Sequence, residues 1–415
     1  MSGRAVAVLA ATAFVVSLGY GALMPVVPGW LAALQPSLPA ASLSRYVGEL
    51  SGIYMLGVFV GALAAGYASD AIGRRPVLLC GLAVFALAQL ALVHVERPIA
   101  IYGLRFVAGL AGAAVIPIAS ALIAERSPKD RVPLRLTLLG AASLSGFLVG
   151  PGLVSLARWL QAGTDLGVGD ATALLAFVLH TMAALGAGVL IAIWRVDLGA
   201  PCAPIESARG SGEPSVWKYA PVVLLALNFA TLLGLAGFEV AVALHGTQRL
   251  RLDPLQLGVM FAECSLVMLL VNGVLLLTPL RRRLPVRGTL LVGLATMVGG
   301  FLLLLRGHDY AWVLVGVGIV AAGSGVAIPM ITWSVASAAG PLGTTMGQLT
   351  AAGSLGQALG SVAGGWAFGA FSADSFLIGA VFMGLTLLFA WVAGAAALAV
   401  AKPASIAAGA PPRLG

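Results

Sequence analysis

From Ala5 to Ser44 the chain carries no charged side chain, and the same holds from Tyr310 to Ala373. Apolar stretches of that length constrain the fold more than any motif does. A lipid-spanning helix needs about 20 consecutive apolar residues, because a rise of ~1.5 Å per residue must cross ~30 Å of hydrocarbon. The runs lack the period-two alternation of a transmembrane β-barrel, so helices are the remaining solution. Composition agrees: 60% of the 415 residues are hydrophobic and 9% are charged, with a mean hydropathy of +1.03. Water-facing surfaces use roughly 25% charged residues. The deficit excludes a soluble enzyme, a nucleic-acid-binding domain and a disordered chain. The sequence is that of an all-α membrane protein.

Reading between polar breaks gives twelve predicted spans: 5–34, 46–68, 76–95, 98–124, 134–157, 171–194, 219–245, 254–278, 288–305, 311–335, 346–371 and 376–400. The first resembles a secretory signal, but its charge-free run is too long for one, so it is expected to be retained as a span. With the N-terminus in the cytoplasm, sixteen of the 23 lysines and arginines fall on inner connections and six on outer ones. This is the positive-inside asymmetry, and it accounts for the net charge of +8 without a nucleic-acid partner. The longest polar connection, Arg195–Lys218, divides the spans six and six. The expected organisation is an N-terminal bundle over 1–194, a cytoplasmic linker over 195–218, a C-terminal bundle over 219–401 and a cytoplasmic tail over 402–415. A weak internal repeat supports it. Arg74-Arg75-Pro76 before the third span is matched by Arg282-Arg283-Leu284-Pro285 before the ninth, and Gly146 and Gly150 in the fifth by Gly356 and Gly360 in the eleventh. Two parallel six-helix repeats are the build of one large transporter fold.

Gly66-Tyr-Ala-Ser-Asp70-Ala-Ile-Gly73-Arg74-Arg75-Pro76 joins the second and third spans. It resembles the GxxxDxxGRR signature that the major facilitator superfamily carries at this loop. Gly66 permits close helix approach and Gly73 a tight turn. Asp70 is a fixed negative charge that the N-terminal end of the eleventh helix would attract. The resemblance implies a conformational latch built from these residues, closing the inner face when the cavity opens outward. Arg105-Phe-Val-Ala-Gly109 in the fourth span resembles the RxxxG signature of the same superfamily, which implies a charge partner in a proton pathway. An arginine within a span costs at least ~2.5–3.5 kcal/mol on insertion scales, so it should face a partner or water; snorkelling to the outer interface is the competing reading. Gly146-Phe-Leu-Val-Gly150-Pro151 resembles the GxxxGP motif of the twelve-span drug:proton antiporters, with Leu153-Val154 in place of the paired glycines that usually follow. Gly146 and Gly150 allow close packing, and Pro151 removes a backbone donor and is expected to bend the helix. Gly19-Tyr-Gly21-Ala-Leu-Met-Pro25-Val-Val-Pro28 also resembles those antiporters. They often carry an acid a few positions earlier, where Phe14-Val15-Val16-Ser17 is neutral.

A proton site must therefore lie elsewhere. The intramembrane ionisable groups are few: Glu239 in the seventh span, Glu263 in the eighth, His180 in the sixth and Arg105. A carboxyl removed from water can exchange between its neutral and charged forms. Glu263 is the leading candidate for a proton or cationic-substrate site, followed by Glu239. His180 has the alternative role of a satisfied buried histidine, and Glu49 is expected at the outer interface. Asn228, Asn272, Gln348, Gln357, Tyr54, Phe261, Met330 and Trp333 are candidate cavity lining, while Trp30, Trp217 and Tyr219 are expected as interfacial anchors.

The sequence has no Walker A motif and no HExxH. Its four histidines are scattered and its cysteines (Cys80, Cys202, Cys264) form no CxxC, so no cofactor, metal site or enzyme activity is expected. The resemblance implies alternating access between two bundles. The favoured activity is proton-coupled efflux of a small amphipathic or cationic compound. The expected setting is a monomer in the lipid bilayer of a bacterial inner membrane, both termini cytoplasmic, with a small-molecule substrate and protons as partners. Import or facilitated movement of a metabolite is the alternative within the family, and a non-transporting membrane partner or sensor the alternative outside it.

Overall fold

In the computed structural model, residues 1–95, 97–128, 131–162, 171–198, 220–277, 285–306, 309–336 and 342–399 are described. Fourteen α-helices follow one another among them: α1 (Gly3–Leu23), α2 (Val27–Leu34), α3 (Ala40–Ile72), α4 (Arg74–Leu92), α5 (Pro98–Gly112), α6 (Val115–Arg126), α7 (Val132–Ala162), α8 (Ala171–Arg195), α9 (Ala220–Leu244), α10 (Pro254–Leu277), α11 (Val286–Leu304), α12 (Tyr310–Ala336), α13 (Leu342–Phe371) and α14 (Ser375–Ala399). They make twelve spans, with α1 and α2 sharing the first and α5 and α6 the fourth. Eleven described stretches are long and apolar enough to cross a membrane, and the last of these, Gly347–Ala393, holds both α13 and α14. Most of the expected linker and all of the tail lie outside the described residues.

Prolines explain both broken spans. A proline ring clashes with the carbonyl four residues earlier. Pro28 and Pro117 place that clash at Met24 and Ala113, where α1 gives way to α2 and α5 to α6. By contrast, α7 continues through Pro151 and α12 through Pro329. The second span departs from its predicted limits. The helix begins at Ala40 and takes in Arg45, because that side chain finds a partner at the helix end and need not leave the helix. Trp30 also differs from expectation: at 5% exposure it is a core residue rather than an interfacial anchor.

Glycines set the helix spacing, and they do so alike in both halves. A Cβ on Gly146 of α7 would strike the Phe14 carbonyl of α1, and one on Gly150 would lie 2.6 Å from the Ala22 nitrogen. In the second half, a Cβ on Gly356 of α13 would strike the Phe229 carbonyl of α9, and one on Gly364 would lie 2.7 Å from the Gly237 Cα. Small residues let backbones meet where lipid offers no hydrophobic drive for helix pairing. Large apolar side chains such as Leu87, Val292 and Val392 are correspondingly exposed on the outer girdle.

The two bundles meet at the end opposite the N-terminus, here called the distal end. There α3 lies on α13 and α7 on α10. A Cβ on Gly48 would come within 2.9 Å of the Gly365 Cα, one on Gly52 within 2.7 Å of the Ala358 carbonyl, and one on Gly258 within 3.2 Å of the Pro151 carbonyl. Polar contacts reinforce this seam. Gln248 donates to Ser44 Oγ (2.9 Å), and the Arg45 guanidinium lies 4.2 Å over the Trp366 ring. Trp366 Nε1 and the Tyr102 hydroxyl donate to the two oxygens of Glu49, at 3.3 and 2.9 Å. Glu49 is thus at the distal end, as its position in the sequence predicts.

Candidate transport site

Directly beneath the seam, four side chains from four helices converge. Gly21 lets α1 approach the Phe147 backbone of α7, with only 2.8 Å between its would-be Cβ and the Phe147 carbonyl. The neighbouring Tyr20 then sets its ring 5.2 Å from that of Phe147 and 5.6 Å from that of Tyr54 on α3. Gly109 of α5 packs on the Tyr54 backbone. Residues four apart share a helix face, so Arg105 emerges one turn away and lays its guanidinium 4.5 Å over the Tyr54 ring. This gives the RxxxG spacing a physical reason: the glycine brings the helices together and the arginine covers the ring beside the crossing.

The Tyr20 hydroxyl donates to Glu239 Oε2 at 3.3 Å. Tyr20 belongs to the N-terminal bundle and Glu239 to the C-terminal one, so this bond crosses the interface. Tyr20, Tyr54 and Arg105 are all buried, with Met24, Met55 and Ala358 packed among them and Phe261 alongside. A fixed cation and a carboxyl therefore sit on opposite bundles with two tyrosine rings between them. Leaving a charge buried without a compensating partner costs several kcal/mol. Arg105 is 4% exposed, and among the described residues its Nε and Nη1 have no hydrogen-bond partner.

The other predicted residues lie apart from this cluster. Glu263 of α10 faces α12, where its Oε1 is 3.1 Å from the Cβ position of Gly318; its Oε2 is buried, with no hydrogen-bond partner among the described residues. His180 is exposed on α8, its Nδ1 2.7 Å from the Ala176 carbonyl of its own helix and its ring edge-on to His94. Of the candidate lining, Tyr54 and Phe261 reach the cluster. Asn228 donates to the Leu349 carbonyl and Asn272 to that of Met268, so both amides serve packing. Tyr20 lies within the Gly19–Pro28 segment, where nothing in the local sequence distinguishes a tyrosine facing the interface from one facing lipid.

At the proximal end, Gly73 adopts φ +95° between α3 and α4, a conformation that favours glycine. Arg74 then reaches Glu125 at the end of α6, with Nη2 at 2.9 Å and Nε at 3.2 Å, and Ser69 Oγ at 2.5 Å. Arg75 donates to the Ile193 and Trp194 carbonyls that close α8, where a cation also suits the helix dipole. Both arginines brace the N-terminal bundle internally. Gly66 lies within α3; the side chain of Asp70, and those of the first turn of α13, lie outside the described ones, so the expected contact between Asp70 and that helix end is likewise outside them. Glu125 could have been read from the sequence as the lone acid closing the fourth span. Its side chain is 40% exposed, and exposed pairs contribute about 1 kcal/mol at most. Glu125→Gln is expected to lower stability by less than about 1 kcal/mol, a shift of at most a few degrees in detergent melting curves.

Helical bundles meeting at a polar midline cluster are the build of a membrane transporter. The chain belongs to the Major Facilitator Superfamily, whose match covers residues 9–361. It is 28% identical over 408 residues to the class D tetracycline resistance protein of Salmonella ordonez, covering 94% of this chain and 96% of that one. It is 23% identical over 254 residues to the quinolone resistance protein NorA of Staphylococcus aureus, 59% of each chain. Among solved structures, a D-xylose-proton symporter superposes with a TM-score of 0.75 at 15% identity, covering 93% of this chain and 97% of that one. The human organic anion transporter MFSD10 gives 0.69 at 21%, covering 94% and 100%. These structures share the fold. The family and its structural neighbours are transporters, and the chain is an integral membrane protein of that kind.

Proposed function

We propose that the chain is a proton-coupled exporter of a small amphipathic or cationic compound. Both termini are cytoplasmic, and the divisions at 195–218 and 402–415 are connections on that side. The distal end is then the outer face, and the closed seam corresponds to an inward-facing state. The observation that carries this reading is the Tyr20–Glu239 hydrogen bond across the bundles. A carboxyl whose partner sits on the opposite bundle experiences two different environments as the bundles rock. Coupling requires such a difference, because a ligand shifts an equilibrium only by its differential affinity for the two states. Protonated Glu239 keeps its tyrosine partner without a net charge; deprotonated, it attracts a cationic substrate. Proton and substrate thereby compete for one group, which is the logic of antiport. The tetracycline and quinolone resistance named for the relatives supports export as the direction.

The test is proton release in proteoliposomes, with tetracycline, a quinolone and a cationic dye added in turn. A compound that drives proton movement, and that accumulates against its gradient when the proton gradient is imposed, supports the exporter. Accumulation in the same direction as the proton would make the protein a symporter, and flux indifferent to pH a facilitator.

A further inference from the structure

We infer that Arg105 is an anion subsite, and that the transported compound is a zwitterion with an aromatic body rather than a simple cation. This rests on reading the tyrosine cluster as the transport site. The geometry that points to it is specific to the arginine. Its guanidinium is almost wholly buried and lies 4.5 Å over the Tyr54 ring, and among the described residues Nε and Nη1 meet no acceptor. A ring face satisfies part of a cation's electrostatic demand but accepts no directed hydrogen bond from the guanidinium edge. The fork of Nε and an Nη is the edge that matches the two oxygens of a carboxylate.

Glu239 does not fill this role. Its described partner is the Tyr20 hydroxyl, and the rings of Tyr20 and Tyr54, tilted 38° to each other, lie between it and the arginine. The cluster thus holds two opposite charges, on opposite bundles, that do not neutralise each other. A ligand that bridges them needs an anionic group for Arg105, a cationic group for Glu239, and an apolar body to lie against Tyr20, Tyr54, Phe147 and Met55. Met and aromatic side chains fit such a body adaptably. A simple cation would pair with Glu239 and leave the Arg105 fork without an anionic partner. The division of labour also follows: the cationic end competes with the proton at Glu239, while the anionic end sets which compounds enter at all.

Rhodamine B, with its free carboxylate, and rhodamine B ethyl ester, which is cationic only, isolate the anionic group on one scaffold. Equilibrium binding of both to purified full-length protein in detergent, read by fluorescence polarisation, requires no proton gradient. The expected result is that the acid binds roughly tenfold or more tighter than the ester, the scale of a charge-assisted hydrogen-bond pair. In Arg105→Gln that ratio should fall to about one, and in Arg105→Lys, which keeps the charge but loses the fork, it should be intermediate. Melting curves of both variants establish that each is folded. Equal affinities in the wild type, a preference for the ester, a preference that survives Arg105→Gln, or no binding of either dye would each overturn the assignment. The exporter reading stands or falls separately: proton release driven by the ester as strongly as by the acid leaves it intact while removing the anion subsite.

Discussion

Glu239→Gln is expected to abolish compound-driven proton release while leaving a folded protein in the membrane. The substitution is nearly isosteric, and the glutamine carbonyl can still accept the Tyr20 hydroxyl that Glu239 accepts at 3.3 Å. The neighbours that pack α9, Phe238 and Val240, are both buried and unchanged. What disappears is the group that can carry a proton. Coupled flux in proteoliposomes should therefore fall to the level of empty vesicles, whereas exchange of compound for compound across the membrane, which needs no proton, should persist at higher compound concentration, because Glu239 also holds the cationic end of the substrate. Glu263→Gln provides the contrast. That carboxyl lies against Gly318 within the C-terminal bundle and has no described partner across the interface, so its replacement should leave coupling intact. The opposite outcome, coupling lost in Glu263→Gln and kept in Glu239→Gln, would transfer the proton-carrying role to Glu263.

The second large effect concerns two glycines that look alike and should behave differently. A Cβ on Gly365 would lie 2.5 Å from the Ser44 carbonyl and 2.9 Å from the Gly48 Cα, between bundles. A Cβ on Gly146 would strike the Phe14 carbonyl and approach the Leu18 nitrogen to 3.0 Å, within one bundle. Overpacking of this kind costs on the order of 1–3 kcal/mol or more. At the seam the bundles can relieve it by parting, and a bias of about 3 kcal/mol shifts a two-state population by roughly a hundredfold. Gly365→Leu should thus hold the distal end open. Within a bundle no such relief exists, so Gly146→Leu should reduce yield and thermal stability. The measurement is labelling of a cysteine at Ala358, which is buried in the cluster, by a maleimide that cannot cross the membrane, in a chain with its three native cysteines replaced. Fast labelling from the distal face in Gly365→Leu, and slow labelling without that change, is the expected pattern; equal rates would mean that this seam is not the moving one.

The spans were legible because a helix in lipid must be apolar over its whole length, and that condition is written residue by residue. Their ends were less so. Arg45 lies inside α3, beyond the predicted start of that span, where the Trp366 ring receives it, and that partner is distant in sequence. The rare intramembrane charges identified Arg105 and Glu239 as residues needing an explanation. Which carboxyl faces the interface depended on how α9 and α10 rotate, and rotation is set by glycine crossings contributed by other helices. Along the chain Glu263 therefore ranked ahead of Glu239, whereas in space Glu239 is the carboxyl with a partner on the other bundle. Tyr20 was harder still, since its importance comes wholly from a crossing between α1 and α7 that brings it to a residue 219 positions away.

The distal seam has one further consequence. Where Gly48 meets Gly365 and Gly52 meets Ala358, main chain lies on main chain, and the carbonyls there already hold helical hydrogen bonds. At these crossings the two bundles are in direct backbone contact, so any opening of the distal end must first part main chain from main chain.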